Sequence, residues 1–324
     1  MNRHETDHAP FQPAWWLPGS HLQTIWPTVC RRPLRHLSLK RERFELDDGD
    51  FIDLDWTEKK DGPIVLILHG LEGSIQSPYA KGMLQAVSEQ GWRGVFMHFR
   101  GCSGEMNRLP RGYHSGETND VARLVETLLL REKCEKIAAV GFSLGGNVLL
   151  KWLGERGVTS PLCAAVGISV PFELGKTATR IRQGFSRVYE QHFMRSLRKK
   201  IRDKSAMQPL PVEVPLLKEL RSLREFDDKI TAPLHGFLNA EDYYKKSSSR
   251  QFLKNISVPT LLLQSGNDPF MTKDVLPGPD ELSKEVTLEL TEQGGHVGFI
   301  SGKFPWRAEY WLEKRVPAFL QHYL

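Results

Sequence analysis

Ile137-Ala138-Ala139-Val140 is followed by Gly141-Phe142-Ser143-Leu144-Gly145, and then, one residue on, by Asn147-Val148-Leu149-Leu150-Lys151-Trp152-Leu153. The first run is apolar and strand-like and the last is helix-like, so the Gly-x-Ser-x-Gly between them reads as a tight strand-to-helix turn. A turn this sharp needs small residues two before and two after the serine. It also forces the serine into a strained backbone state that lifts its hydroxyl above the sheet edge. Ser143 is therefore the candidate nucleophile.

A serine hydroxyl is a poor nucleophile at neutral pH. It needs a base within hydrogen-bond reach and an acid to orient that base. Downstream, the strand-like Thr260-Leu261-Leu262-Leu263-Gln264 runs into Ser265-Gly266-Asn267-Asp268-Pro269, a turn that carries an acid. A second strand, Val286–Leu290, leads into Thr291-Glu292-Gln293-Gly294-Gly295-His296, which delivers a histidine after two glycines. Asp268 competes with Asp274, a few residues on, and with Glu173, which follows the preceding strand. The Gly-Asn-Asp-Pro turn favours Asp268, although an aspartate there also serves simply to cap backbone N–H groups. His192, His235 and His322 lack the strand–Gly-Gly–His setting of His296.

The tetrahedral intermediate of such chemistry needs N–H donors for its oxyanion. The backbone N–H of Leu144 is one. The other is expected from the loop after the Ile64–Leu68 strand, His69-Gly70-Leu71-Glu72-Gly73-Ser74, with Leu71 chosen and Glu72 the fallback. The plain alternative is that Gly70 and Gly73 only let the chain turn. Arg100, in Phe99-Arg100-Gly101-Cys102-Ser103-Gly104, reads as a structural tie between loops. Ser115 or Thr118 is a candidate N-cap for the helix that follows.

Outward from these motifs, Arg41–Leu46 and Phe51–Trp56 flank Asp47-Asp48-Gly49-Asp50 as a hairpin. Strand candidates at Ile64–Leu68, Gly94–His98, Ile137–Val140, Ala164–Val170, Thr260–Gln264 and Val286–Leu290 alternate with helix-like Tyr79–Gln90, Glu117–Arg131, Asn147–Glu155 and Trp306–Leu324. This alternation predicts an α/β fold, a mostly parallel central sheet flanked by helices. About 90 residues separate Val170 from Thr260, too many for a simple crossover, so residues 171–255 are expected to form a helical cap insertion on a core of 41–170 and 256–324. The first half of that interval is basic, from Arg180 to Lys204. This reads as a solvated helix face or as an attraction to an anionic membrane, with no nucleic-acid motif beside it. Residues 1–40 are expected to be an arm packed on the body. Its Trp15, Trp16 and Trp26 either dock there or contribute to an acyl-binding pocket.

The chain has 324 residues, 40% hydrophobic and 26% charged, with a net charge of +5, and can bury a full core. No apolar run approaches the ~18 residues of a membrane span. Met1–Asp7 has no signal-peptide core, which points to the cytoplasm, with room for peripheral membrane contact. Four scattered cysteines and eleven histidines form no disulfide framework or metal motif. No phosphate-binding loop is present, so neither a cofactor nor a metal is expected.

The motifs together resemble the α/β-hydrolase superfamily, and within it the AB hydrolase 4 family of YheT-type esterases. The carriers are His21-Leu22-Gln23-Thr24-Ile25-Trp26-Pro27, His69-Gly70-Leu71-Glu72-Gly73-Ser74, Arg100-Gly101-Cys102-Ser103-Gly104, Tyr113-His114-Ser115-Gly116-Glu117-Thr118, the Ser143 elbow and Gly294-Gly295-His296-Val297-Gly298-Phe299. The resemblance implies a Ser143–Asp268–His296 triad and hydrolysis of carboxylic esters, with short-chain acyl esters or acylglycerol-like lipids as small-molecule substrates. An acyltransferase using the same triad, or a non-catalytic binding protein on the same fold, are the alternatives.

Overall fold

The computed structural model describes residues 10–31, 37–59 and 61–324. The expectation for Met1–Asp7, and the parts of the arm at 1–9 and 32–36, lie outside the described residues. Helix α1 (Ser20–Cys30) precedes the hairpin β1 (Leu39–Glu45) and β2 (Phe51–Thr57), which closes as Glu45 pairs with Phe51. There follow β3 (Ile64–Leu68), α2 (Pro78–Glu89), β4 (Arg93–His98), α3 (Asn119–Arg131), β5 (Ile137–Phe142), α4 (Leu144–Arg156) and β6 (Ala164–Ile168). The sheet order is β1-β2-β4-β3-β5-β6-β7-β8, with β7 at Thr260–Ser265 and β8 at Val286–Thr291. Strand β2 runs antiparallel to both its neighbours and the remaining pairings in this sheet are parallel.

Both faces of the sheet are covered, which is why its central strands are apolar without alternation. Along β3, Ile64, Leu66 and Leu68 enter the core on one face while Val65 and Ile67 enter the core on the other. Even β2 is buried along its whole length, with Asp53 and Asp55 inside. Arg43 pairs with Asp53, and Arg41 and His98 pair with Asp55, so these carboxylates are buried with partners. Arg100 is a structural tie: its guanidinium is buried, takes both oxygens of Asp120 and reaches Asp48 and Asp50 of the hairpin turn.

Between β6 and β7 the chain forms α5 (Leu174–Arg180), the long α6 (Arg187–Met207), α7 (Leu223–Phe226), α8 (Ala232–Leu234) and α9 (Ala240–Ser247). One π turn, Asp227–Thr231, joins α7 to α8. These helices have a small core of their own, including Met194, Ile201, Phe226 and Ile230.

Two local expectations differ from the structure. The terminal helix does not begin at Trp306. Residues Glu309–Tyr310 form β10 against β9 (Ile300–Ser301), and only Leu312–Leu320 is helical, as α10, because pairing to the loop after β8 takes the preceding residues. Neither Ser115 nor Thr118 caps α3. Thr118 sits at the N-cap position, but its hydroxyl donates to Glu155, and the Glu117 carboxylate accepts the Asn119 N–H instead. The proline-punctuated arm contains a regular helix, α1, with Pro27 inside it.

Candidate active site

The elbow is built as its glycines require. Ser143 has φ 51° and ψ −118°, and α4 starts at the next residue. A Cβ at Gly145 would lie 2.5 Å from the His69 carbonyl oxygen, and one at Gly141 would lie 2.6 Å from the Gly145 carbonyl oxygen. The close approach to the end of β3 therefore excludes a side chain at Gly145, and the tightness of the turn itself excludes one at Gly141. Of the six described non-glycine residues with positive φ, five (Glu72, Ser143, Ser169, Val297 and Phe299) surround this turn and the His296 loop. Strain of this kind persists only where surrounding contacts over-determine it.

Three of the expected residues meet in one hydrogen-bonded file. His296 Nε2 lies 2.9 Å from Ser143 Oγ, and His296 Nδ1 lies 2.8 Å from Asp268 Oδ2. A carboxylate can only accept, so Nδ1 carries the proton and Nε2 presents its lone pair to the serine hydroxyl. The buried Asp268 also accepts the Phe270 N–H at 2.8 Å, which fixes its carboxylate plane. Phe270 stacks on the imidazole at 4.0 Å between ring centroids. The competing acids lie elsewhere. Glu173 pairs with Arg250 and Lys176, and exposed Asp274 pairs with Lys176. His192 is exposed, His235 sits at the end of α8, and His322 is beyond α10.

The His69–Ser74 loop distinguishes its amides. The Gly70 N–H donates to the Tyr79 hydroxyl at 2.8 Å and the Glu72 N–H to the Tyr113 hydroxyl at 2.7 Å. The Leu71 N–H between them has no acceptor among the described residues, and neither has that of Leu144 at the first position of α4. The fallback, Glu72, therefore has its amide already engaged. His69 anchors the loop: its Nε2 accepts the Phe99 N–H, so Nδ1 donates to the Gly70 carbonyl at 2.7 Å. Burial pushes its pKa down to about 3, which keeps the ring neutral.

Sequence reasoning missed the residues that hold the histidine loop. Gln23, fully buried, donates to the Ile300 carbonyl at 3.0 Å and accepts the Ile300 N–H at 2.7 Å. The Thr24 hydroxyl accepts the His296 N–H at 2.9 Å. A Cβ on Gly295, whose φ is +64°, would lie 2.6 Å from the Ser20 carbonyl oxygen, so α1 can dock only on glycine there. The signal was a buried-type glutamine and threonine within a tryptophan-rich stretch. None of the described residues of this segment lines the cavity. Trp15 stays 77% exposed, and donates from its indole to the Lys303 carbonyl.

Ser143, Leu144, Leu71 and His296 open into a cavity of about 150 Å³ whose opposite wall comes from the β6–β7 helices. Its lining is mainly apolar, with Ile181, Leu197, Phe226 and Ile230 among the contributors. The basic stretch is not uniformly a solvated face. Arg182, Arg187, Arg195, Lys199 and Arg202 are exposed, but Lys200 and Lys204 turn inward and line the cavity. Lys200 Nζ lies 2.6 Å from Glu72 Oε1, linking α6 to the loop that carries Leu71. Lys204 donates to Asn107 Oδ1 and to the carbonyls of Leu109 and Arg111, and burial lowers its pKa to about 8. Among the described residues no cluster of metal ligands occurs, and no helix is long and apolar enough to cross a membrane.

A strained serine after β5, an aspartate after β7 and a histidine after β8 lie at the carboxyl edge of a mostly parallel sheet, the arrangement of an α/β-hydrolase fold. The α/β-hydrolase fold model matches residues 63–303, and the chain belongs to that family. Within it, the chain is 44% identical to the Escherichia coli K12 protein named "Putative esterase YheT", over 98% of this chain and 94% of that one. It is 28% identical to the Bos taurus protein named phospholipase ABHD3, over 99% of this chain and 83% of that one. To the Saccharomyces cerevisiae protein named monoacylglycerol lipase it is 31% identical, over 84% of this chain and 62% of that one. The fold matches that of the Pyrococcus furiosus esterase Pf2001, with a TM-score of 0.58 at 18% identity over 89% of this chain and 93% of that one.

Proposed function

We propose that the chain is a serine carboxylic ester hydrolase acting on short-chain acyl esters or acylglycerol-like lipids. The observation that carries the reading is the Ser143–His296–Asp268 file, with contacts of 2.9 and 2.8 Å, at the floor of a largely apolar cavity. The names of the esterase and lipase relatives support the same class.

In this mechanism His296 Nε2 takes the hydroxyl proton as Ser143 Oγ bonds to the ester carbonyl carbon. The oxyanion that forms accepts from the N–H groups of Leu71 and Leu144. Collapse breaks the ester C–O bond, and the imidazolium returns its proton to the departing alcohol. Water then attacks the acyl-enzyme, again giving its proton to Nε2, and the acid leaves with Ser143 restored. Asp268 holds the tautomer and offsets the imidazolium charge without taking the proton. Residues 171–255 serve as the cap: α5 to α9 close the cavity above the serine and select the chain that fits it.

Purified protein is treated with a fluorophosphonate and compared with Ser143→Ala. Labelling that is lost in the variant, together with turnover of p-nitrophenyl butyrate or hexanoate, is the expected result. A folded wild type that neither labels nor turns over any ester of the panel overturns the reading.

A further inference from the structure

Part of the cavity wall is polar. His114, His235, Asp227, Tyr243 and Tyr244 line the same space as Ser143 and His296. An apolar chain would leave buried polar groups there without partners, which is costly. Four of the five are at least partly satisfied by the protein. His114 Nδ1 accepts the Gly116 N–H at 3.1 Å, the Tyr243 hydroxyl accepts the Ser115 N–H at 2.9 Å, and Asp227 accepts from Tyr244 and Thr231. His235 is the exception. It packs on the His114 ring at 4.6 Å, yet neither of its ring nitrogens has a hydrogen-bond partner among the described residues. It follows directly on the π turn and α8, the segment that also brings Asp227 to the cavity.

Burial, with Arg111 and Lys204 nearby, pushes the His235 pKa down to about 3, so the ring is neutral at working pH. A neutral imidazole offers one donor and one acceptor. A hydroxyl group offers the same pair in reverse. A carboxylate accepts only and could use one nitrogen; an alkyl chain could use neither.

Resting on the esterase reading, we infer that the polar wall of the cavity around His235 is a subsite for a neutral hydroxyl-bearing part of the ester, engaged by His235. The hydroxyl belongs either to the acyl chain or to the alcohol half, and both present the same chemistry to the ring.

Binding is measured by calorimetry on Ser143→Ala, which removes the nucleophile while keeping the cavity. One pair of ligands is methyl 6-hydroxyhexanoate and methyl hexanoate; the other is glycerol monobutyrate and propyl butyrate. The hydroxylated member of at least one pair is expected to bind about tenfold more tightly. Adding His235→Phe is expected to bring that ratio to within about twofold of unity, while His235→Asn, which keeps a donor and an acceptor, retains part of it. The pair that responds identifies the half of the ester bearing the hydroxyl. Equal affinities within both pairs, or a preference that survives His235→Phe, overturns the inference. Should the phenylalanine variant fail to fold, the asparagine variant and the ratio in the parent still decide. Because binding is read without turnover, a failure here is separate from a wild type that cleaves no ester.

Discussion

The serine and the polar wall of the same cavity are built on opposite terms. At the serine end nearly every polar atom has a protein partner, the backbone is held in sparsely populated conformations, and two amides stand without acceptors. Along the polar wall most residues come from the helical segments after β6, titratable groups are buried and the His235 imidazole has no hydrogen bond among the described residues. The first pattern is that of a preorganised reacting centre, where donors wait for charge that develops only in the transition state. The second is that of a recognition surface, where unsatisfied groups wait for a ligand. On the proposed function, the sheet and its edge loops supply the chemistry, and the helices between β6 and β7 supply the selection.

The largest expected effect lies at the serine end. Ser143→Ala should lower ester turnover by about 10⁴-fold or more while moving the melting temperature by no more than about 2 °C. Residual turnover near the wild-type rate would break the contrast, since the strained elbow would then have no chemical role. Next is the buttress. Gln23→Leu strands the N–H of Ile300 inside the protein, while its carbonyl keeps the Ala14 N–H, and should destabilise it by about 1–3 kcal/mol. Loosening the His296 loop should also cost about tenfold or more in kcat. A chemical-denaturation curve and steady-state kinetics read both, and a fall in stability with unchanged kcat would confine the arm to docking.

Lys200 ties α6 to the loop that carries Leu71. Lys200→Met leaves Glu72 buried without its cation. A fall in kcat of about threefold to tenfold with little change in KM is expected, and in a double-mutant cycle with Glu72→Gln the pair should show coupling of about 1–3 kcal/mol. A change confined to KM would assign Lys200 to substrate binding instead.

The smallest effect is one of pH and belongs to the polar wall. Burial raises the Asp227 pKa from 3.8 to about 6, against the hydrogen bonds from Thr231 and Tyr244. Between those two values the folded state holds a proton that the unfolded state has lost. Its contribution is therefore greatest below the unfolded value and disappears as pH rises toward 6. Above pH 6 the buried carboxylate is a net cost, and Asp227→Asn should raise stability at pH 8 by about 1–3 kcal/mol. The gain should shrink as pH falls toward 4, and thermal melts of both proteins across this range would show it. A gain independent of pH would mean that Asp227 is not the titrating group.

Much of the fold was legible because its signals are local. The Asp47–Asp50 turn marked the hairpin, and apolar runs of five or six residues marked strands buried on both faces. The glycines at 141 and 145 were readable because the elbow tolerates no side chain there. The terminal segment was misread as one helix from Trp306, since a two-residue pairing to Ile300–Ser301 leaves no periodicity. Thr118 was misjudged as a cap for a similar reason: its hydroxyl found a distant carboxylate, Glu155, that no local pattern could announce.

By itself the sequence determined the order of strands and helices, the elbow at Ser143 and the candidates Asp268 and His296, because each depends on residues within a few positions of one another. Only the tertiary structure decided that Gln23 and Thr24 brace the histidine loop from more than 270 residues away. It alone left the Leu71 amide open between two amides taken by tyrosine hydroxyls. It also turned Lys200 and Lys204 out of a basic helix and into the cavity wall. Those outcomes depend on which distant backbone or side chain fills each hydrogen-bonding position once the chain is packed, and burial makes every such position a demand that something must meet.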